Sequence, residues 1–432
     1  MPYESILALG FRGILLNQLK SKMPINFVIS NDPNADITWS DFNSLKFDIS
    51  RPYFSQEIAE CFQEVKKNYC QFNDIYSRRF FYFTESSAEV YNAFTLYFYK
   101  CLEVLKNNSI SCIIFSNVPH EGYDYIFYLI AKNMNIKTII CNQSLFPNRF
   151  WIFSSINNFG DFNVSPKISD YCSSNYVLPK PSEWVNMQGT LNDRSYFIGD
   201  FIKEVSRKPH RFPLAMVRLF HGLQYRRNVN KVAIDPIAGE RFAYFPLHLQ
   251  PELTTSALGG DFSDQISAIE ELSFILPSGW YLYVKENPKQ NEAYRGKLFF
   301  KRLMKLKNVR YIKRTYNSSK LIDNSKFVAV INGTAGWEAI FAKKPILIFG
   351  HAWFSSFKGV SKYAPSISIK DILDNKPADP NESVEYLNDI LTKTGIGVVD
   401  DDYIAILDNY DINVNAKTVS NSLMKYYNLI IT

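Results

Sequence analysis

The fold is decided by the stretch Ala243-Tyr244-Phe245-Pro246-Leu247-His248-Leu249-Gln250-Pro251-Glu252 and by two later stretches of the same kind. These are Tyr281-Leu282-Tyr283-Val284-Lys285-Glu286-Asn287-Pro288 and Ile331-Asn332-Gly333-Thr334-Ala335-Gly336-Trp337-Glu338-Ala339. Each begins as a short apolar run and ends in small and polar residues, as strands do at the C-terminal edge of a parallel sheet. Open α/β sheets bind ligands outside that edge. The three stretches therefore predict a ligand pocket built from loops that follow parallel strands.

Apolar runs alternate with helical patterns over most of the chain. In the C-terminal half the predicted strands lie at 242–246, 281–285, 309–312, 327–331 and 345–349. In the N-terminal half they lie at 5–9, 25–30, 111–115 and 136–141. This alternation predicts an α/β protein with two doubly wound domains. We assign residues 1–235 to an N-terminal domain, 236–415 to a C-terminal domain and 416–432 to a closing helix, with 235–239 as the linker.

The composition is that of a globular protein. Of the 432 residues, 46% are hydrophobic and 21% are charged, and this length favours two domains over a single core. A net charge of +6 without a Lys/Arg block excludes a typical nucleic-acid-binding composition. Six cysteines without a C-x-x-C pair argue against a zinc site and for a reducing compartment. No apolar run approaches the ~18 residues of a membrane span, so we expect a cytoplasmic protein.

Two further segments have alternative interpretations. Residues 210–230 are basic and are most simply a solvated helix face; contact with a lipid-linked acceptor or an anionic membrane is the alternative. Gly10-Phe11-Arg12-Gly13 follows the first predicted strand and lacks the full dinucleotide-binding spacing. We interpret it as a tight turn, with phosphate binding as the alternative.

A second candidate site follows the predicted strand at 111–115. Its loop contains Pro119-His120-Glu121-Gly122-Tyr123-Asp124 and leads into a helix, so that its side chains face a cleft. A lone histidine is usually a satisfied loop residue, but Glu121 and Asp124 beside His120 make acid–base chemistry an equal alternative. Arg149, in the next strand-end loop, is a candidate contact for an anionic group.

The later stretches supply groups suited to a nucleotide sugar. Asn332-Gly333-Thr334-Ala335-Gly336 ends a strand and opens a helix, where backbone amides and the helix N-terminus favour a phosphate. Glu338 is within reach of ribose hydroxyls, although it is equally suited to cap the helix. Lys285 is a candidate counter-charge for phosphate, with Asn287 as a neutral donor beside it. The loop after the first of these strands adds His248, Gln250 and Glu252.

These motifs resemble the bacterial capsule polysaccharide biosynthesis family, which includes the Kdo transferases of capsule and lipopolysaccharide assembly. The resemblance is carried by 245–252, by Lys285-Glu286-Asn287-Pro288, and by 333–339 with Lys344-Pro345. It is clear over residues 240–355 and looser over 111–150, where Pro119-His120-Glu121-Gly122 is similar to the family's N-terminal cleft motif.

The resemblance implies a GT-B-like α/β fold, with two Rossmann-type doubly wound domains facing a central cleft. The C-terminal domain would bind the nucleotide sugar and the N-terminal domain the acceptor. Relatives that use CMP-activated ulosonic acids contact the nucleotide through a Gln-Pro and a His-Pro motif. Gln250-Pro251 is present here, but the His-Pro position is Asn287-Pro288. Asparagine can donate to a phosphate but carries no charge.

We therefore predict a glycosyltransferase of capsule or surface-polysaccharide synthesis that needs no metal or other cofactor. It would transfer a CMP-activated ulosonic acid, such as Kdo or a sialic-acid-like sugar, to a glycan or lipid-linked acceptor, with peripheral association at the inner face of the cytoplasmic membrane. Glu121 is the predicted base or nucleophile, assisted by His120 and Asp124, while His248 and Gln250 help to neutralise the departing nucleotide. The predicted donor-binding residues are Gln250, Glu252, Lys285, Asn287, Gly333, Thr334, Gly336 and Glu338.

Three alternatives remain open from the sequence. The first is a GT-B transferase that uses a UDP- or GDP-sugar. The second is a nucleotide-sugar epimerase or a related hydrolase. The third is a non-catalytic glycan-binding scaffold or export component, which would have no need for a histidine and a carboxylate after strands of both domains.

Overall fold

A computed structural model describes residues 5–48, 55–77, 86–163, 165–169, 198–250, 253–290, 295–407 and 409–431. They form two compact α/β units. The first unit contains the described residues of Met1–Tyr76, Glu85–Met187 and Val384–Thr432. The second contains those of Ser77–Thr84 and Gln188–Ser383.

The strands are short and are mostly buried on both faces. In chain order they are β1 (Ile6–Leu9), β2 (Ile25–Ser30), β3 (Ile37–Thr38), β4 (Cys112–Phe115), β5 (Lys137–Gln143), β6 (Arg149–Phe153), β7 (Ala233–Ile234), β8 (Arg241–Pro246), β9 (Trp280–Lys285), β10 (Val309–Ile312), β11 (Val328–Val330), β12 (Ile346–Ile348), β13 (Val360–Lys362) and β14 (Gly395–Ile396).

The helices cover the sheets and connect the strands. They are α1 (Gly13–Lys20), α2 (Trp39–Asn43), α3 (Gln56–Lys66), α4 (Tyr69–Ser77), α5 (Ser87–Asn107), α6 (Tyr123–Asn133), α7 (Ile198–Arg207), α8 (Phe212–Val232), α9 (Leu253–Ser256), α10 (Gln265–Ile275), α11 (Lys297–Leu303), α12 (Ser318–Asn324), α13 (Thr334–Phe341), α14 (Ile369–Asp374), α15 (Pro380–Thr392) and α16 (Ile412–Ile431).

The sheet of the first unit has the order β14-β6-β5-β4-β1-β2-β3. Strands β3, β2, β1, β4 and β5 are parallel, whereas β6 and β14 pair antiparallel at one edge. From β1 the chain moves outward through β2 and β3, and it then returns to the other side of β1 as β4. The strand order therefore reverses between β1 and β4, which is the position where open α/β sheets bind ligands.

The sheet of the second unit has the order β13-β12-β11-β8-β9-β10-β7, with parallel pairing throughout. Its chain moves from β8 through β9 and β10, and then returns to the other side of β8 as β11. The reversal lies between β8 and β11. The predicted class is thus confirmed in both units, since each is a Rossmann-type, doubly wound α/β sheet. The predicted cleft that the two domains would face stays a prediction.

Each unit has its own apolar core. In the first, sheet residues such as Ile114 and Ile139 pack with Leu16 of α1 and with Val419 and Leu423 of α16. The predicted closing helix is therefore part of the core of the first unit. In the second, the strands contribute Ala243, Phe245, Leu282, Val284, Ala329 and Leu347, which pack with residues of α10 and α11.

The division into units differs from the predicted boundaries at two places. Helix α8, placed at the end of the N-terminal domain by the sequence, belongs to the second unit because Tyr225 is buried in that core beside Phe300. The segment from Val384 to residue 415 belongs to the first unit. Its backbone at Thr392 accepts hydrogen bonds from the amides of Ile168 and Ser169, and β14 pairs with β6. Residues 235–239 consequently lie inside the second unit rather than between domains.

Within the described residues, no helix is both long enough and apolar enough to cross a membrane.

Candidate functional site

A cavity of about 700 Å³ opens at the β1/β4 edge of the first unit. Its walls come from the loops after β1, β2 and β4 and from the segment that precedes α16. The polar lining residues include Arg12, Asp32, Asn117, His120, Glu121, Asp124, Asp400, Asp401, Asp402 and Asn415, together with the aromatic Trp39 and Tyr410. The predicted catalytic group His120, Glu121 and Asp124 thus lies on this cavity.

Asp124 fixes the loop that carries the other two residues. Its Oδ2 accepts from the amide of His120 at 2.8 Å, and its Oδ1 accepts from the amides of Glu121 at 2.8 Å and Tyr125 at 2.7 Å. Gly122 precedes α6 with φ +93°, a left-handed conformation that glycine adopts without strain. The buried Asp124 carboxylate therefore positions the loop from behind.

His120 and Glu121 form a pair that shares a proton. Nδ1 of His120 lies 2.6 Å from the carbonyl oxygen of Val118, and since a carbonyl only accepts, Nδ1 must carry a hydrogen. Nε2 lies 3.2 Å from Oε1 of Glu121. A hydrogen bond there requires a second proton, on the imidazole or on the carboxyl group. Both side chains are only partly exposed, at 19% and 29%.

The carboxylates around His120 raise the pKa of its imidazole. Burial opposes protonation of His120, but the hydrogen bond to Glu121 and the charges of Asp124 and Glu121 outweigh it, so the pKa of His120 is raised. For Asp124, burial raises the pKa, against the nearby His120 charge and the backbone hydrogen bonds. The pair therefore holds a proton that can be exchanged with a ligand in the cavity.

The turn after β1 faces the same cavity. Gly10 has φ +82°, and a β-carbon there would overlap Oγ of Ser116 after β4, so both the conformation and the close approach require glycine. The choice between a tight turn and a phosphate-binding loop stays a prediction. The amide of Gly13 donates to Asp32 Oδ2 at 2.6 Å, and this hydrogen bond, with that from Asn34, lowers the pKa of Asp32. Arg12 forms an ion pair with Asp401.

The second unit brings His248 to the loop that follows β11. Its Nε2 accepts from the amide of Ile331 at 3.3 Å, and a β-carbon at position 333 would lie 2.5 Å from its Cε1. Burial and the charge of Arg295 lower the pKa of His248 to about 4, against a hydrogen bond with Asn332. His248 is therefore neutral near pH 7. This supports a role in positioning the Gly333 turn rather than the predicted one of supplying charge.

A buried arginine holds the loop of His248 and Gln250. Arg295 is paired with Glu286, with 3.0 Å between Nε and Oε2, and both side chains are 1% exposed. Arg295 also donates to the carbonyl of His248 at 3.0 Å and to Oε1 of Gln250. Nε2 of Gln250 donates to the carbonyl of Ser263 at 2.6 Å. The Gln250 side chain is thus engaged in fixing its own loop.

Lys285 and Glu338 belong to one polar cluster. Nζ of Lys285 donates to Oγ of Ser318 at 3.0 Å. Ser318 also forms a hydrogen bond with the hydroxyl of the buried Tyr244, and the charge of Glu338 contributes to raising the pKa of Tyr244. Burial lowers the pKa of Lys285 to about 8, assisted by Arg314 and opposed by Glu286. Burial also raises the pKa of Glu338 to about 7. Two residues that are far apart in the sequence are therefore connected through side chains that the sequence did not single out.

Among the remaining predicted donor residues, Asn287 lies on the turn after β9, and Gly333, Thr334 and Gly336 lie at the start of α13. Thr334 is the first residue of α13, and Gly333 precedes it with φ −79° and ψ 166°. A β-carbon on Gly336 would lie 2.6 Å from Cζ of Phe354, so this glycine permits close packing of the helix. Oδ1 of Asn287 accepts from the amide of Lys289 at 2.8 Å and closes its own turn. Glu252 lies outside the described residues.

Arg149 is placed differently from its prediction. It is buried, and its Nη1 donates to Ser169 at 3.0 Å and to the carbonyl of Leu391 and Oγ1 of Thr394 at 3.4 Å. The guanidinium therefore joins β6 to the C-terminal segment of the first unit. This position corrects the expectation that Arg149 meets an anionic ligand.

Several residues that shape both sites were not predicted from the sequence. In the second unit, Arg295 and Ser318 lie outside the strand-end motifs, and no local pattern distinguishes them from surface residues. In the first unit, the run Asp400-Asp401-Asp402 is a visible signal, but only the folded chain brings it to a cavity whose other walls begin at residue 9. Among the described residues, no group of three His, Cys, Asp or Glu is arranged to hold a metal ion.

Residues 240–397 match the model of a family described as capsule polysaccharide biosynthesis protein. The predicted resemblance is confirmed. The matched segment covers less than half of the chain, and it contains every donor-side residue named above from His248 to Glu338. Among curated proteins, none matches this chain.

Solved structures of similar topology share little sequence with this chain. KpsC of Thermosulfurimonas dismutans, a beta Kdo 2,7 transferase, is 9% identical, with a TM-score of 0.33 over 70% of this chain and 83% of that one. UDP-GlcNAc 2-epimerase from Neisseria meningitidis bound to UDP-GlcNAc is 13% identical, with a TM-score of 0.26 over 98% and 100%. The glycosyltransferase SnogD from Streptomyces nogalater is 9% identical, with a TM-score of 0.22 over 99% and 99%. Because these TM-scores are low, we assign the fold from the strand order given above and not from these similarities.

Proposed function

We propose that this protein is a glycosyltransferase of capsule or surface-polysaccharide synthesis. The observation that carries the proposal is the β8/β11 edge of the second unit, which lies within the segment that matches the capsule family. There a glycine turn, held by the neutral His248, opens helix α13. The N-terminus of a helix offers free amides and partial positive charge to a phosphate group. A nucleotide sugar presents such a group.

The donor side divides into residues that contact the ligand and residues that position them. Gly333 and Thr334 would present amides to the phosphate, and Glu338 would bind ribose hydroxyls. Lys285, with a pKa of about 8, would add charge near the phosphate. His248, Gln250 and the Arg295–Glu286 pair would position the turns. Charge that develops on the departing nucleotide would then be met by preorganised donors without a metal ion.

The acceptor side would be the cavity of the first unit. Glu121, oriented by its hydrogen bond with His120, would accept the proton of the attacking hydroxyl or act as the nucleophile. Asp124 would position both through the three backbone amides that it binds. The acceptor would be a glycan or a lipid-linked glycan, reached by peripheral association with the inner face of the cytoplasmic membrane.

The donor that we propose is a CMP-activated ulosonic acid, because Gln250-Pro251 matches the Gln-Pro motif of relatives that use such donors, whereas Asn287-Pro288 departs from their His-Pro motif. In the related motif a histidine precedes the proline, whereas here the Asn287 side-chain oxygen closes its own turn. Nucleotide contact at this position would come from the turn rather than from a charged ring. A UDP- or GDP-sugar is the alternative donor.

A thermal-shift screen of the purified protein against CMP, CDP, UDP, GDP and ADP tests this function. A ligand that binds only the folded state raises Tm. At a ligand concentration a hundredfold above Kd, the free energy of unfolding increases by about 2.7 kcal/mol. Stabilisation by CMP alone supports a CMP-activated ulosonic acid as the donor. Stabilisation by UDP or GDP alone contradicts that donor and supports a UDP- or GDP-sugar. No shift with any nucleotide contradicts the transferase proposal and leaves a glycan-binding protein.

A further inference from the structure

Helices α7 and α8 carry apolar side chains that are exposed to solvent. On α8 these are Phe212, Met216, Phe220 and Leu223, at 50%, 45%, 63% and 50% exposure. Their spacing of four, four and three residues places them on one face of the helix. On α7, Ile198 and Ile202 are one turn apart and 58% and 60% exposed. Six of the 16 exposed large apolar side chains of the described residues thus lie within residues 198–223.

The two helices form one surface, which we call the α7–α8 face. The ring of Phe201 contacts that of Phe212 edge-on, with 5.9 Å between centroids. Glu204 of α7 is paired with Arg218 of α8 at 3.0 Å. Away from the exposed stripe, α8 buries Ala215, Gly222 and Tyr225, and Tyr225 packs in the core of the second unit. The exposed face therefore includes a helix, α8, that is anchored in the core of the second unit through Tyr225.

The same segment is strongly basic. Residues 198–232 contain eight lysines and arginines against two acidic residues. Glu204, one of those two, is already paired with Arg218. Arg227 and Lys231 are exposed at the C-terminal end of the apolar stripe, and Lys208 and Arg211 are exposed at its other end.

We propose that the α7–α8 face docks onto an anionic phospholipid bilayer. An apolar stripe flanked by lysine and arginine is the pattern of helices that lie in the plane of a membrane interface. Each basic residue near an anionic surface adds about 1 kcal/mol, roughly a fivefold gain in partition. The charge excess favours a lipid surface over a second copy of this chain, because two such faces would repel each other.

This inference deepens the peripheral membrane association in the proposed function and rests on it only for its biological setting. Its test needs no donor and no acceptor, so a negative nucleotide screen and a negative lipid result are separate outcomes.

The test is co-sedimentation of the full chain with two kinds of vesicle. One is made of phosphatidylcholine alone, and the other is phosphatidylcholine with about one-third phosphatidylglycerol, which is anionic. We expect at least tenfold tighter binding to the anionic vesicles at about 0.1 M salt, and a loss of that preference at about 1 M, where the Debye length falls from about 10 Å to about 3 Å. Phe220→Ser with Leu223→Ser should weaken binding to both vesicle types by about tenfold or more. Arg227→Glu with Lys231→Glu should remove the preference for the anionic vesicles.

Matched controls lie elsewhere on the second unit. Phe274→Ser removes an apolar side chain that is 88% exposed, and Lys305→Glu with Lys307→Glu reverses two exposed lysines near α11. Both controls should bind vesicles as the unchanged chain does, and Tm should be the same in all variants. Equal binding to both vesicle types overturns the proposal, as does unchanged binding by the two α8 variants. A dimer in solution that Phe220→Ser with Leu223→Ser converts to a monomer also overturns it, since the face would then join two copies.

Discussion

The two units have the same strand reversal but use it differently. At the β1/β4 edge of the first unit, the loops part around a cavity of about 700 Å³, and partly exposed acid and base groups line it. At the β8/β11 edge of the second, the ionisable groups are directed into the protein. His248 is packed on Gly333, and the Arg295–Glu286 pair is buried behind it. The β1/β4 edge thus presents acid and base groups to a ligand, whereas at the β8/β11 edge buried charged groups hold a backbone turn in place.

Among the substitutions that test this difference between the two units, removal of Arg295 should reduce the free energy of unfolding most. Arg295→Met leaves Glu286 buried without its partner, and such a change costs about 3–5 kcal/mol of stability. Urea unfolding measures it. Arg302→Met breaks partly exposed pairs with Glu270 at 2.6 Å and with Asp264 at 2.7 Å, and each should cost at most about 1 kcal/mol. Equal costs for the two variants would show that the buried pair does not organise the donor side.

The protonation of His248 should make the second unit sensitive to acid. The pKa of about 4 in the folded chain lies below the unfolded value of 6.5, so the unfolded state binds the proton first. This contribution, about 3 kcal/mol, is complete above pH 6.5 and is lost as the pH falls toward 4. His248→Gln should remove it.

Glu338 changes the stability with pH in the opposite direction to His248, over a similar pH range. Its pKa of about 7 is raised from 4.5, so its contribution is present below pH 4.5 and is lost as the pH rises through 7. The measurement is therefore the difference in unfolding free energy between the unchanged chain and His248→Gln at several pH values, in which the Glu338 contribution cancels. A difference that does not change with pH would mean that His248 is not buried as a neutral group.

Loss of the Glu121 carboxylate should abolish turnover without unfolding the first unit. Glu121→Gln removes the proton acceptor beside His120, and general acid–base groups contribute about 10²–10⁴-fold to rate. The check is kcat with the donor identified by the nucleotide screen, together with Tm. Glu57→Gln, on the exposed side of α3, is the matched control. Full turnover by the Glu121 variant would remove this cavity from the mechanism.

Adding one methyl group at Gly333 should have the smallest effect of the four. In Gly333→Ala the new β-carbon would press on His248, and overpacking of this kind costs about 1–3 kcal/mol. Nucleotide affinity should fall with it, as followed by thermal shift. His248→Ala in the same chain should restore part of the stability. Gly296→Ala, where no atom lies within 4 Å, should be neutral.

Much of the fold was predictable because it depends on local pattern. Apolar runs such as 25–30 and 309–312 became β2 and β10 with the predicted bounds. The short strands β3, β7, β13 and β14 were not predicted, since two or three residues give no recognisable period, and the five-residue strand β6 was not predicted either. The candidate site was predictable where its residues follow a strand, as His120 and Glu121 do.

What the sequence by itself determined is the class of the protein: an α/β chain with two doubly wound halves, a glycine turn ahead of a helix, and motifs of the capsule family. Strand pattern and turn chemistry are encoded within a few residues of one another. Only the tertiary structure decided which groups keep their charge. His248 is neutral and Arg149 is structural because of residues that lie far away in the sequence and bury them. Burial and long-range pairing set the pKa of a group, and neither can be inferred from its neighbours in the chain.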